Sequence, residues 1–406
     1  MSTTSPQPQL PVLLVFSHLR WGFVYQRPQH LLSRLAGRWR VLFVEEPMHD
    51  ADGPPRLDAV DISPQLTVLT PHTRVNAPGF HDDHIAMMSS LLHDHLDEHG
   101  LHVDVAWLYT PMALPLANAV GADCLVYDCM DELSAFRGAP LQLRQRESAL
   151  MQQAALVLTG GPSLFEARKH QHGNIHCFRS AVDAAHFSPA RLNATSAPAR
   201  RARELQAALP HPRIGFFGVI DERMDLSLIQ ALAERRPDWT FVMVGPVVKI
   251  DPHSLPQLPN IHWLGMQPYE LLPHLMVGWD LALMPFALNE STRFISPTKT
   301  LEYMAGGLPV VSTPIQDVLQ LYAPAVAVAP AGERFIKACD TVLTEGATAR
   351  RARQVQMARL VAQNSWDETA DTIHTLLEEA LLGVREARDT EADASELPAM
   401  PLAARA

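Results

Sequence analysis

Short, uninterrupted apolar runs recur along this chain, separated by segments with helical periodicity. Residues 12–17 form the first run, followed by a loop, a helical pattern over 28–35 and a second run at 41–44. Continuous apolar character marks strands buried on both faces, and the 3.6-residue period marks the helices that cover them. Further strand candidates at 66–69, 103–109, 124–127 and 155–159 continue the alternation. A second series starts at Arg213, with strands at 214–217, 240–244, 261–264, 281–284 and 326–328 and helices at 225–235 and 269–277. The pattern predicts an α/β protein of two tandem doubly wound domains, over residues 1–190 and 191–364. The Ala/Pro/Arg/Ser-rich stretch 188–203 reads as a linker or the approach to one. After helices near 332–344 and 349–363, an amphipathic helix occupies 365–384, and the charged, Ala/Pro-rich residues 385–406 read as a disordered tail.

Composition narrows the class. A chain of 406 residues exceeds what one hydrophobic core usually supports, in agreement with two domains. Hydrophobic residues make up 47% of it and charged residues 19%, as in an ordinary globular protein. A net charge of −11 argues against a nucleic-acid binder. No apolar run approaches the roughly 20 residues that span a bilayer, so any membrane contact is expected to be peripheral, on the inner face of the cell membrane. The polar, Pro/Gln-rich start lacks the basic and apolar regions of a secretory signal, which implies a cytoplasmic protein. Cys124, Cys129, Cys177 and Cys339 have no metal-site spacing. Asp50-Ala-Asp52 sits in a loop typical of turn aspartates, and His95 and His99 lie on a helix without a closed ligand set, so no metal is expected.

The densest chemistry lies in 296–313, Ser-Pro-Thr-Lys-Thr-Leu-Glu-Tyr-Met-Ala-Gly-Gly-Leu-Pro-Val-Val-Ser-Thr. Ser296 is placed to cap a helix opened by Pro297, whose free N–H groups and positive dipole end would face an anion. Lys299 in that first turn is unfavourable unless an anion is present. Glu302 shares its face and can accept hydrogen bonds from sugar hydroxyls. Tandem doubly wound sheets bring their strand carboxyl ends to a common cleft. There the turn 218–223 supplies Gly218 for close backbone approach and Arg223 as a diphosphate clamp.

These segments, together with Ser180-Ala-Val-Asp183 and Phe187, and Ser365-Trp366-Asp367, resemble the GT-B glycosyltransferases over most of the chain. The likeness is to the retaining enzymes of the broad family that includes cell-wall, teichuronic-acid and exopolysaccharide transferases. It implies a GT-B fold whose last helix crosses back onto the amino-terminal domain. It implies that Lys299 and Arg223 neutralise a donor diphosphate, that Ser296 and Thr298 bond phosphate oxygens, and that Glu302 holds the ribose. Phe294 stands where many members carry a second glutamate, and Ser180-Ala181 where Asn-Gly is usual.

In the first domain the loop 18–30 should face the cleft, with Trp21 offering a flat face to a sugar, Gly22 admitting the backbone and Arg27 opening the first helix. Asp128 and Asp131 follow another strand and are the candidates for acid–base work, Asp131 being favoured because Asp128 abuts the strand. The expected activity is metal-independent, cofactor-free transfer of a sugar from a nucleotide-diphosphate donor to a hydroxyl of a glycan or lipid-linked glycan, in building a cell-surface polysaccharide or glycolipid. The rivals are a nucleotide-sugar epimerase of the same fold and a non-catalytic nucleotide-sugar-binding partner protein. A NAD-dependent dehydrogenase is disfavoured, because no Gly-x-Gly-x-x-Gly follows the first strand.

Overall fold

In a computed structural model that describes residues 10–50, 52–323 and 325–395, the apolar runs become two sheets. The first contains β1 (Val12–Ser17), β2 (Arg40–Glu45), β3 (Met48–His49), β4 (Arg56–Ser63), β5 (Leu66–Thr73), β6 (Val105–Leu108), β7 (Cys124–Cys129), β8 (Leu156–Thr159) and β9 (Ile175–Cys177). Its order is β3-β5-β2-β1-β6-β7-β8-β9, with β4 antiparallel to β5. The second contains β10 (Arg213–Phe217), β11 (Thr240–Val244), β12 (Ile261–Trp263), β13 (Leu281–Met284), β14 (Val310–Ser312) and β15 (Val326–Val328). All its pairs are parallel, in the order β12-β11-β10-β13-β14-β15.

Alternation along each central strand divides the core into layers. Val12, Leu14 and Phe16 pack with Met88 and Leu92 on one face of the first sheet. Leu13 and Val15 pack with Leu31, Leu35 and Trp39 on the other. In both sheets the strand order reverses beside the first strand, at β1/β6 and at β10/β13, and crevices at the carboxyl ends open at such reversals.

The chain passes between the halves twice, side by side. The Val182 N–H donates to the Asn364 carbonyl at 3.0 Å, and Val182 and Ser365 form a parallel bridge. Helix Trp366–Ser395 then lies on the first half, where Trp366, Ile373 and Leu377 join the layer of Leu31 and Trp39. Trp39 Nε1 donates to His374 Nδ1 at 3.0 Å, and Arg385 and Arg388 each pair with Asp123 at 2.8 Å.

Two expectations are corrected. The supposed linker carries helix Ala197–Gln206, in which Ser196 accepts from the Ala199 N–H and Ala199, Ala202 and Gln206 are buried. Alanine and arginine are strong helix formers and Pro198 is tolerated in a first turn, so this composition is helical once capped. The last helix runs through 385–395, where a disordered tail was expected; residues 396–406 lie outside the described residues.

Candidate functional site

Helix Lys299–Ala305 is fixed across the end of β10 by the Tyr303 hydroxyl, which accepts from the Phe217 N–H at 2.9 Å. The helix ends as the two glycines demand. Gly307 takes a left-handed conformation, with φ 75°. Its N–H donates to Met304 O at 2.9 Å and the Leu308 N–H to Tyr303 O at 3.0 Å, closing the turn. At the other end Ser296 caps nothing, contrary to expectation. The helix starts at Lys299 after Thr298, whose side chain makes no capping bond, and the Ser296 hydroxyl is buried against Asp317 without any other hydrogen-bond partner.

Gly218 is the necessary residue here. Its φ is 137°, and a Cβ added to it would overlap Lys299 Cε, so the lysine stem lies across the bare backbone at the end of β10. Burial holds the Lys299 ammonium below the usual lysine range, opposed by Glu302 beneath it. Glu302 is 5% exposed, and burial pushes its carboxyl up to about 7 against the pull of Lys299. Neither side chain has a hydrogen-bond partner among the described residues. Arg223 is held by Asp221 through Nη2–Oδ2 at 2.7 Å and Nε–Oδ1 at 3.0 Å, with its guanidinium 5.4 Å from the centre of the Phe136 ring.

From the first half, Asp131 reaches the same space after β7. Burial raises its carboxyl, chiefly opposed by Arg223, and its side chain makes no hydrogen bond among the described residues. It does not cap the short turn that follows, which uses only its carbonyl, accepting from the Leu133 N–H at 3.0 Å. Asp128 is a different group and the acid–base expectation for it is corrected. It is 0% exposed and bonded to Arg27 Nε at 2.9 Å, below the cleft wall. Arg27 opens the first helix and lines the cavity, with its guanidinium engaged with Asp128 and with the Phe178 carbonyl at 2.8 Å, leaving Nη2 alone without a partner. Trp21 packs edge-on against Phe43 at 5.1 Å while also lining the cavity, and a Cβ added to Gly22 beside it would enter open space.

A cavity of about 470 Å³ unites these groups. Its wall includes Trp21, Gly22, Arg27 and Asp131 from the first half and Gly218, Arg223, Ser296, Thr298, Lys299 and Glu302 from the second. A hollow of about 570 Å³ lies at the opposite ends of the second sheet's strands, but its Arg236 and Arg353 are paired with Asp238, Asp340 and Glu345.

Sequence reasoning missed several residues here. Tyr25 and Tyr269 stack at 4.5 Å across the halves, and His186 stacks on Tyr269 at 4.1 Å. Their signal was present, a ring-bearing residue a few positions after a strand in each case, but nothing in the sequence pairs positions so far apart. Phe294, where many of the resembled enzymes carry glutamate, packs against an apolar layer of the first half, with Arg293 5.1 Å over its ring. That position is used for contact between the halves. Ser180 Oγ donates to the Ser296 carbonyl at 2.8 Å, tying the crossover to the site.

Two facing doubly wound halves with a polar cleft between their strand ends and a last helix on the first half make up the GT-B glycosyltransferase fold. Residues 211–345 match the family described as Glycosyl transferases group 1. Among proteins of known name, the chain is 28% identical over 257 residues to TuaH of Bacillus subtilis (strain 168), named as a teichuronic acid biosynthesis glycosyltransferase. The match covers 58% of this chain and 62% of that protein, so the chain spans less than two thirds of that relative's length. Among solved structures, sucrose-phosphate synthase from Thermosynechococcus elongatus superposes with TM-score 0.70 at 14% identity, over 92% of this chain and 100% of that one. HepE of Anabaena, in complex with UDP and glucose, superposes with TM-score 0.63 at 17% identity, over 90% and 99%. An E. coli trehalose-6-phosphate protein bound with UDP-2-fluoro glucose gives TM-score 0.63 at 14% identity, over 90% and 98%. Among the described residues no helix is long and apolar enough to cross a membrane.

Proposed function

We propose that this chain transfers a sugar from a nucleotide-diphosphate sugar to a hydroxyl acceptor in the building of a cell-surface polysaccharide or glycolipid. The observation that carries the reading is the set of Asp131, Lys299 and Glu302, three charged side chains on one cavity wall with no protein hydrogen-bond partner among the described residues. Charged groups so enclosed cost stability unless a ligand completes them. Lys299 and Arg223 suit a diphosphate, Thr298 suits its oxygens, and Glu302 suits a pair of ribose hydroxyls, while the Ser296 hydroxyl is turned to Asp317 instead. The match to glycosyl transferases group 1, which falls on the half that holds these cations, supports the donor assignment.

In the reaction the bond between the anomeric carbon and the diphosphate breaks as one to the acceptor oxygen forms. Lys299 and Arg223 would stabilise the charge that develops on the leaving diphosphate, and this is where most of the rate enhancement would arise. Asp131 is the one carboxylate that the first half contributes to the cavity wall among the described residues. It faces Arg223 and Lys299 from the acceptor side, where the acceptor hydroxyl must give up its proton. The TuaH likeness supports a glycan or lipid-linked glycan as acceptor.

The test is nucleoside diphosphate release by the full chain, measured across nucleotide-diphosphate sugars with and without a panel of glycan acceptors. Acceptor-dependent release with formation of a new glycoside is expected. An epimerised donor accumulating without acceptor would replace this reading with an epimerase, and donor binding without any turnover would replace it with a binding protein.

A further inference from the structure

Asp317 is a fully buried carboxylate that the proposed reaction does not use. It lies in the first turn of helix Gln316–Tyr322, shortly after β14, and is 0% exposed. Its Oδ1 accepts the backbone N–H of Ser163 at 3.1 Å, from the opposite half of the molecule and 154 positions away. Its Oδ2 is buried against the Ser296 hydroxyl, and neither atom has any other hydrogen-bond partner. Both meet the same glycine. A Cβ added to Gly161 would overlap Asp317 Oδ2 and lie 2.7 Å from Ser296 Cβ, and Gly161 has extended backbone that any residue adopts. Here, therefore, glycine is required by space alone. On the other side, Ser180 Oγ donates to the Ser296 carbonyl at 2.8 Å and lies 3.2 Å from Thr298 Oγ1.

A buried carboxylate between two bodies is a poor adhesive, because taking its charge out of water costs more than an apolar contact of the same shape. What it does provide is geometry. The Ser163 N–H can be accepted only when the halves are shut, and the carboxylate that accepts it abuts Ser296. We propose that Asp317 is a positioning residue that couples closure of the two halves to the setting of the Ser296–Thr298 segment, and hence of Lys299, opposite Asp131. The proposal rests on the reading of that segment as the diphosphate site.

The experiment uses the full chain and compares wild type with Asp317→Ala, Asp317→Asn, Gly161→Ala and the double variant Gly161→Ala/Asp317→Ala. Small-angle scattering of the nucleotide-free protein reports closure, and donor turnover reports positioning. Asp317→Ala and Gly161→Ala should each enlarge the radius of gyration and lower kcat/KM on the order of 10²-fold, the usual cost of a misplacement of about 1 Å. Asp317→Asn keeps an oxygen for Ser163 and should restore closure. The double variant should be no more open than Asp317→Ala, because the added methyl then meets no carboxylate. Urea midpoints identify any variant that fails to fold, and Gly161→Ala and Asp317→Asn still decide the matter if Asp317→Ala is lost. Unchanged scattering radii in Asp317→Ala or Gly161→Ala overturn the proposal, as does an additive double variant. If wild type turns over no donor, the transferase reading fails, while the scattering comparison still judges the latch by itself.

Discussion

Glu302 concentrates the physics of the site in one residue. Its carboxyl is enclosed, without a hydrogen-bond partner among the described residues, and pushed up to about 7 from an ordinary 4.5 by burial. A folded-state value above the unfolded one means that this group favours the native state most below 4.5. The benefit is lost as pH rises through about 7. The ligand-free Glu302→Gln variant should lose that dependence, and urea titrations from pH 4 to 8 should show it overtaking wild type by roughly 3 kcal/mol at the alkaline end. Identical pH slopes would remove Glu302 from the enclosed wall. Lys299 and Glu302 were legible in the sequence because they share one face of a helical turn at short, fixed spacing, and Arg223 because it lies in the turn that follows β10. Asp128 was misjudged because its role is set by Arg27 across 101 positions, a contact no local pattern encodes.

At the scale of elements, the glycine at the end of β10 and the helix that crosses it form one device. Gly218→Ala should strain a backbone at φ 137° and displace the Lys299 stem that lies against it. Its affinity for a nucleoside diphosphate, measured by calorimetry, should fall while its melting temperature drops by only a few degrees. Wild-type affinity would show that Lys299 has no need of that bare backbone. The Arg27–Asp128 pair similarly bolts helix Arg27–Leu35 to β7. Arg27→Met should cost about 3–5 kcal/mol in urea denaturation, because Asp128 is left buried with its counter-charge gone. A loss below about 1 kcal/mol, the range of an exposed pair, would contradict the bolt. The buried parallel strands announced themselves as continuous apolar runs. Strand β4 did not, since six of its eight residues are exposed and its pairing with β5 is dictated by the neighbour.

On the scale of the whole molecule, two sheets that were each readable from periodicity meet in a cleft that was not. Chemistry placed the cations on one half and a carboxylate on the other, yet the sequence held no sign of the contacts that bring them together: Tyr25 on Tyr269, Ser163 on Asp317, Phe294 on the first half's apolar layer. The last helix belongs to the same assembly, because Trp366, Ile373 and Leu377 complete the layer over Leu31 and Trp39. Removing residues 366–395 would bare that layer, and the truncated chain should unfold at lower urea concentration with early loss of the first half's tryptophan signal. A truncated chain with unchanged urea midpoint would show that the helix is dispensable there.

The central claim is that the cleft binds a nucleotide diphosphate through Lys299. Titration calorimetry of UDP, ADP and GDP into wild type and Lys299→Ala tests it most directly. At least one nucleotide should bind wild type, and Lys299→Ala should weaken that binding roughly 10- to 100-fold, as expected when a charged hydrogen-bond partner is removed. Equal affinity in the two proteins, or no binding of any of the three to wild type, would contradict the account.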